Sequence, residues 1–493
     1  MLFIISCVII GLYFLVVVLI FLYSLAQLNL LVNYLLSKRK QAKMETFDFS
    51  NVDEIPQVTI QLPLYNEKYV VERLLEAVTH LNYPKHKLDI QVLDDSTDDS
   101  ILLTQSLVQK YADAGFDIHY IRRTNRQGFK AGALKEGLNT AKSDYIVIFD
   151  ADFLPERDWL YQTIPHFKDP KVGVIQTRWG HINRDHSLLT QVQAIALDAH
   201  FTLEQTGRNT HHHFINFNGT AGAWRKSCIF DAGNWESDTL TEDLDLSYRA
   251  QLKKWKFVYL EDVATPAELP AILSAARTQQ FRWNKGGAQN FVKMASRVIA
   301  ADTISAKTKI HGILHLLNSS LFLCIFVMSI LSVPVLYIKH HYDAFDPYFG
   351  LMIFFFITTI IYFFTYWVPF KNIQGFSIKN FFTYFVLFFG FMSIALGLSY
   401  QNTIAVLEGF LGKKSEFVRT PKLNIEALKD RWKENIYISK DISKYALMEG
   451  VLFLYYGFAV FSAFWLDNFS FFPFHVLLFS GFGYVTYQSV KPN

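Results

Sequence analysis

Apolar positions gather at the two ends of the chain and alternate with polar ones in between. Residues Leu2–Leu36 are almost free of charge, a run long enough to span a bilayer with residues to spare. From Val58 to about Leu260 the pattern changes. VTIQL, LDIQVL, DIHYIR, YIVIFD and VGVIQ read as strands, and Glu67–His80, Asp98–Ala114, Ala131–Ala141 and Glu156–Phe167 between them read as helices. Such alternation predicts a mostly parallel sheet with crossover helices. Further helices are expected over about Ser187–Gly207 and from Thr241 to about Lys253. Apolar runs resume at about Ile313–Ile338, Tyr348–Phe370, Phe381–Tyr400, Tyr445–Trp465 and Phe471–Val490. The chain reads as a Rossmann-like α/β domain inserted between membrane helices.

Charge sets the expected orientation. Lys38, Arg39, Lys40 and Lys43 follow the first run and place the next segment on the cytoplasmic side. If all five later runs spanned, the stretch Gln401–Lys444 with its nine Lys and Arg residues would lie outside, against the positive-inside bias. Treating Phe381–Gly412 as one interfacial or re-entrant segment, running without a turn into QNTIAVLEGFLGKK, restores the parity. The expectation is five spans, with the amino terminus outside and the carboxyl terminus inside. A cleaved signal peptide is not expected, for a basic start and a small-residue cleavage site are both lacking. The boundaries so drawn are 1–37 for the first membrane helix, 38–270 for the cytoplasmic α/β domain and 271–311 for interfacial helices. Two membrane helices follow in 312–370, then the interfacial segment 381–412, a cytoplasmic loop 413–444 and two more membrane helices in 445–490. In a bacterium the protein would sit in the cell membrane, in a eukaryote in a Golgi-type membrane.

Composition removes several classes. With 47 Lys+Arg against 44 Asp+Glu there is no electrostatic footprint for nucleic acid. Cys7, Cys228 and Cys324 are scattered, so neither disulfides nor a zinc site are expected. No G-x-G-x-x-G or Walker sequence occurs, which argues against a dinucleotide dehydrogenase or a P-loop enzyme.

The chemistry-bearing residues cluster where strands end. YIVIFD runs into Asp150-Ala151-Asp152, and in extended geometry two such carboxylates share a face. At the carboxyl end of an α/β sheet they can hold Mg²⁺ or Mn²⁺, and through it a diphosphate. The first strand ends in Pro63-Leu64-Tyr65-Asn66-Glu67, where Tyr65 can lie on a planar base and Glu67 accept from it. A plainer role for Asn66 and Glu67 is a helix cap. Asp94 and Asp95 end the second strand and repel the D-x-D pair unless a cation or sugar hydroxyls lie between. Lys130 stands at a helix start, where free N–H groups already favour an anion, and suits a phosphate. His211, His212 and His213 are consecutive and cannot all face one ion from regular structure. The Gly-rich turn after them, through Trp224, reads as a loop that meets a polar ligand. Thr241-Glu242-Asp243 is a helix cap with acidic first turn, or a general base. Gln279, Arg282 and Trp283 fit Q-x-x-R-W and share one helical face, suited to a diphosphate and a sugar ring, or to a Trp/Arg belt at a membrane interface.

With these motifs in this order, the chain resembles the family 2 glycosyltransferases of the cellulose-synthase-like group. It looks like the mannan and glucan synthases of the plant cellulose-synthase-like A and C families. QVLDDSTD, KAGALKEG, VIFDADF, FNGTAG, the T-E-D triad and Q-x-x-R-W carry the match, from about Val58 to Met294. Phe417-Val418-Arg419-Thr420-Pro421-Lys422 resembles the F-x-V-T-x-K gating loop of bacterial cellulose synthase, with Arg419 in place of the valine. The resemblance implies a GT-A fold, an inverting mechanism and a divalent cation. It implies that Pro63, Tyr65, Glu67, Asp94 and Asp95 hold the nucleoside, Lys130 the phosphates, and Asp150 and Asp152 the metal and diphosphate. Asp243 would be the base, with Glu242 beside it in the triad. Gln279, Arg282 and Trp283 would hold the diphosphate and the acceptor end, and Phe417, Thr420 and Lys422 would belong to the gating-like loop.

The leading expectation is a processive β-glycan synthase using UDP-glucose or GDP-mannose, in contact with membrane lipid, that passes its product through the spans. Glu449 would then line a polar path or sit at the interface. A single-addition transferase acting on a membrane lipid, as in ceramide glucosyltransferases, is the alternative within enzymes. A transporter or receptor carrying an inactive transferase domain is the alternative outside them.

Overall fold

The computed structural model describes residues 1–37, 51, 54–350, 353–425, 435–438 and 442–490. Its soluble part is built on a seven-stranded sheet in the order β3-β2-β1-β4-β6-β5-β7. The strands are β1 (Val58–Leu64), β2 (Leu88–Asp94), β3 (Ile118–Ile121), β4 (Tyr145–Ile148), β5 (Val172–His181), β6 (Gly222–Arg225) and β7 (Lys256–Ala267). β1 pairs in parallel with both β2 and β4, as strand–helix alternation requires. The helices Val71–Thr79, Ser100–Asp113 and Phe129–Thr140 make the crossovers. β2 is buried along its whole length and β1 nearly so, because helices cover both faces. This is a GT-A-like α/β arrangement.

The sheet departs from the expected five parallel strands on one side. β6 is antiparallel to both β4 and β5. It is only four residues long and runs straight into a helix, so no alternation marks it in the sequence. Trp224 lies on this strand with no exposed surface, packed against Trp235 and Phe257. It is a core residue, not part of a ligand-meeting loop. β7 reads polar at Glu261 and Asp262 yet pairs in parallel with β5. The helix expected over Ser187–Gly207 is three pieces, Leu188–Asp198, a π-helical stretch Ala199–Glu204 and Gln205–Asn209. The helix after β1 starts only at Val71, and Asn66 stands at φ 56°, so Asn66 does not cap it.

Among the described residues, four helices are long and apolar enough to cross a membrane, by length and composition: Leu2–Ser37, Asn318–His341, Ile378–Gly397 and Ala446–Trp465. Ile353–Gln374 and Phe472–Val490 are apolar helices packed among them. The expected turnless run Phe381–Gly412 is divided: one helix ends at Gly397, Leu398 interrupts it, and a second spans Ser399–Phe410. Close packing marks the end of the first helix. Gly397 and Gly481 let two backbones meet so closely that a Cβ on Gly481 would stand 2.0 Å from the Ser393 carbonyl oxygen. Glu449 faces neither lipid nor solvent. It is fully buried, with Arg277 Nη2 2.6 Å from one oxygen and Ser489 Oγ 2.7 Å from the other.

The first helix is joined to the α/β domain by polar contacts. Tyr34 Oη donates to Glu261 Oε1 at 2.7 Å, and Gln27 Nε2 to Glu204 Oε1 at 3.0 Å. Sheet and bundle are thereby held against each other. Gly481→Val is expected to destabilise the detergent-solubilised protein by about 1–3 kcal/mol, since the backbones must separate. A melting temperature equal to wild type would contradict this close packing.

Candidate active site

The loop after β4, the loop before β6, the start of the Glu242–Leu252 helix and the Leu273–Ala300 helix converge on a cavity of about 140 Å³. Asp150 and Asp152 enter it from the turn that follows β4. That turn is fixed by the Thr220 hydroxyl, which accepts from the Asp150 N–H at 2.8 Å, and by the Phe153 N–H on the Asp150 carbonyl. The sheet thus aims both carboxylates at one space.

Each carboxylate of the pair has a cation on it. Lys130 Nζ lies 2.5 Å from Asp150 Oδ1 and also donates to the Gly219 carbonyl at 2.8 Å. Lys422 Nζ lies 2.6 Å from Asp152 Oδ2. Asp152 is 2% exposed, and its other oxygen, Oδ1, has no hydrogen-bond partner. A buried hard oxygen left without a partner, one small residue from a second carboxylate, fits a divalent cation. Burial alone would lower the Lys130 pKa, but Asp150 and Glu242 outweigh it and hold the ammonium charged.

Glu242 and Asp243 open their helix on the opposite wall. Thr241 does not cap it through its side chain; Asn290 Nδ2 donates to the Thr241 hydroxyl at 2.8 Å and to its carbonyl at 3.0 Å. Asp243 Oδ1 accepts from the Leu244 N–H at 2.9 Å. Burial and the neighbouring Glu242 push the Asp243 carboxyl up to about 7. Burial raises Glu242 as well, against the pull of Lys130. A carboxyl poised near neutrality inside a cavity is suited to accept a proton.

Gln279, Arg282 and Trp283 line the third wall. Arg282 Nη2 donates to the Thr420 hydroxyl at 3.0 Å, and its guanidinium lies 4.4 Å over the Phe417 ring. Phe417 stacks on Phe129 at the start of the Lys130 helix. Phe417, Thr420 and Lys422 therefore all contact the residues of this site. Burial lowers the Arg282 pKa, while Glu242 and Asp150 oppose the shift.

The expected nucleoside residues do not line this cavity. Pro63, Tyr65, Glu67, Asp94 and Asp95 form a neighbouring cluster at the ends of β1 and β2. The Arg126 guanidinium lies 3.3 Å over the Tyr65 ring. Arg419 Nη1 stands 2.9 Å from Glu67 Oε2 and donates to the Tyr65 carbonyl at 3.2 Å. Burial pushes the Glu67 carboxyl up to about 7, although Arg419 works against it. Asp95 is paired with Arg123, and Asp94 accepts from the Ser96 N–H at 2.9 Å and the Tyr120 hydroxyl at 3.0 Å. Repulsion among these acids is thus relieved by the chain's own donors.

Several pocket residues have no counterpart in the motifs. Trp179 and His181 reach the cavity because β5 continues to His181, well past the apolar VGVIQ. The alternation Trp179, His181 is the signal in the sequence. Glu268 holds the loop behind Lys422, accepting from the Leu423 and Asn424 N–H groups, each at 3.0 Å. Among the described residues, the sets of three acid or histidine groups close enough to share an ion are Asp89, Asp117 and His119, and Glu236, Asp238 and Asp245. In the second of these Lys293 already bridges all three acids. His213 is instead buried against His311, with ring centroids 4.2 Å apart.

Comparison with known proteins identifies the family. The family described as glycosyltransferase-like family 2 matches residues 56–286. "Probable glucomannan 4-beta-mannosyltransferase 1" of Arabidopsis thaliana is 34% identical over 457 residues, 88% of this chain and 78% of that relative. The chain belongs to the cellulose-synthase-like glycosyltransferases of family 2. Other members are more similar over a shorter stretch. "Probable glucomannan 4-beta-mannosyltransferase 4" of Oryza sativa subsp. japonica is 44% identical over 282 residues, 56% of this chain and 51% of that protein. "Glucomannan 4-beta-mannosyltransferase 9" of Arabidopsis thaliana is 43% identical over 263 residues, 52% of this chain and 49% of that protein. The aligned region is about half the length of these relatives. Among solved structures, the mannosyltransferase PcManGT of Pyrobaculum calidifontis, in complex with GDP-Man and Mn²⁺, has a TM-score of 0.50 at 22% identity. It covers 74% of this chain and 99% of its own, a likeness of fold.

Lys422→Met removes the cation from a buried carboxylate and is expected to cost about 3 kcal/mol without divalent ions. Thermal melting should show the loss, with partial recovery in Mn²⁺. An unchanged melting temperature in EDTA would contradict the Lys422–Asp152 pairing.

Proposed function

We propose that this chain is a membrane-bound inverting glycosyltransferase that moves a hexose from a nucleotide-sugar onto a growing β-glycan. The observation that carries the reading is the meeting of Asp150, Asp152, Lys130, Asp243, Arg282 and Trp283 on one cavity. The names of its relatives favour mannose as the sugar and GDP-mannose as the donor, with UDP-glucose the alternative.

Inversion needs one displacement at the sugar carbon. The Asp243 carboxylate takes the proton of the acceptor hydroxyl as that oxygen attacks. Lys130 and Arg282 hold the departing diphosphate through charge-assisted hydrogen bonds. A divalent ion, Mg²⁺ or Mn²⁺, when held by Asp150 and Asp152, neutralises charge on the same diphosphate. Arg126 must leave the Tyr65 face if a base is to stack there. Trp283 offers its ring face to the acceptor sugar and Gln279 a hydrogen-bonding neighbour. No second carboxylate nucleophile is required.

The apolar helices support a multi-pass membrane protein, and the cations Lys38–Lys43 and Lys413–Lys444 support a cytoplasmic catalytic domain. Placing the domain beside the bundle favours a processive enzyme that exports its glycan, with the boundaries drawn from the sequence.

The test is purified protein in nanodiscs with Mn²⁺, given labelled GDP-mannose, UDP-glucose and UDP-N-acetylglucosamine separately. A long polymer from GDP-mannose is expected; one sugar on extracted lipid would overturn the glycan acceptor. Asp243→Asn should abolish turnover while donor binding persists, and unchanged activity would refute the base. With the free carboxyl near 7, kcat/KM should rise with pH through about 7 and fall about tenfold for each unit below it. A profile flat from pH 5.5 to 8 would contradict that role.

A further inference from the structure

The Leu273–Ala300 helix does more than present Gln279, Arg282 and Trp283. At about 100° per residue, Gln279, Arg282 and Trp283 stand roughly 140–240° around the helix from Arg277. Arg277 thus points out of the back of the helix that faces the cavity. There it meets Glu449 in a pair that is almost dry, with side-chain exposures of 7% and 0%. Its second nitrogen donates to Ser443 Oγ at 2.9 Å, and its carbonyl accepts from Gln401 Nε2 at 3.0 Å. Two turns further on, Lys285 is fully buried and lies 2.8 Å from Glu408 Oε2. Gly409 allows that contact, since a Cβ there would stand 2.6 Å from the Lys285 carbonyl oxygen.

These two pairs have a topological meaning. Glu408 lies in the last turn of the Ser399–Phe410 helix, which precedes the stretch carrying Phe417–Lys422; Ser443 lies just before the Ala446–Trp465 helix that follows it, and Glu449 in that helix's first turn. Both ends of that stretch are fastened to one helix. Between the two fastenings, Arg282 of the same helix touches Thr420 and Phe417.

We propose that Arg277–Glu449 and Lys285–Glu408 are two pins that keep the Phe417–Lys422 stretch in register with Arg282 and the donor diphosphate. Arg277 and Lys285 are positioning residues: they touch no reactant and act through the stretch they anchor. This rests on the donor site proposed above. Removing one member of a buried ion pair strands a charge, whereas replacing both by apolar residues of similar volume preserves stability. The informative variant is therefore the double replacement Arg277→Met with Glu449→Leu.

In nanodiscs the double variant should raise the donor KM about tenfold to a hundredfold, the scale expected when a remote change misplaces a binding group. The acceptor KM and the melting temperature should stay near wild type. Limited proteolysis within 413–443, read on the protein without substrate, should be faster than in wild type. Arg277→Lys, which keeps a charge for Glu449, should recover most of the donor affinity. Wild-type donor KM and wild-type proteolysis in the double variant would overturn the proposal. So would an equal loss in kcat and both KM values with a lowered melting temperature. If that variant fails to fold, Lys285→Met with Glu408→Leu gives the same readouts at the other pin. A wild-type protein that transfers from no donor would instead reject the proposed function, and the proteolysis comparison would still decide on the pins.

Discussion

Asp150, Asp152, Glu242 and Asp243 face one cavity, and the structure is organised around neutralising them. They come from two different elements and could not share this space uncompensated, because like charges brought together repel. Lys130 answers Asp150 from a crossover helix, and Lys422 answers Asp152 from a stretch between two apolar helices. Arg282 brings a third cation from the helix that joins the α/β domain to the bundle. Sheet, helix and membrane bundle are each tied into the site by a charge. The carboxylates that remain without a cation are those whose pKa values rise, Asp243 among them.

The same requirement explains the place of the Leu273–Ala300 helix. Through Asn290 it holds the T-E-D backbone, through Arg282 it meets Thr420, and through Arg277 and Lys285 it reaches the apolar helices. A helix with buried charges along several of its faces is costly to build unless every charge finds a partner. Here the partners come from both halves of the chain, which makes the helix the joint between them.

The sequence carried this arrangement unevenly. The strands β1, β2 and β4 were legible because buried parallel strands are runs of β-formers that end in polar turns, and their ends held Asp94, Asp150 and Asp152. β6 was not legible: four residues, Gly222–Arg225 with a buried Trp224 among them, show no periodicity, and only pairing with β4 and β5 makes them a strand. The Gln279, Arg282 and Trp283 face followed from helical spacing alone. Residues that act across long separations were out of reach. Nothing local to Glu449 points to Arg277, or to Lys422 as the partner of Asp152, because such pairs exist only once the chain is folded. Arg419 beside Glu67 is of the same kind, though its departure from the valine of the resembling motif marked it as unusual.

The proposed mechanism is a single displacement, with Asp243 as base and no carboxylate nucleophile. The anomeric configuration of the first linkage formed tests it most directly. Nuclear magnetic resonance of the product, followed from the earliest turnover with an α-linked nucleotide-sugar donor, reads that configuration. The account predicts a β linkage from the start. An α linkage would require two displacements or a front-side path, and would contradict the roles given to this cavity.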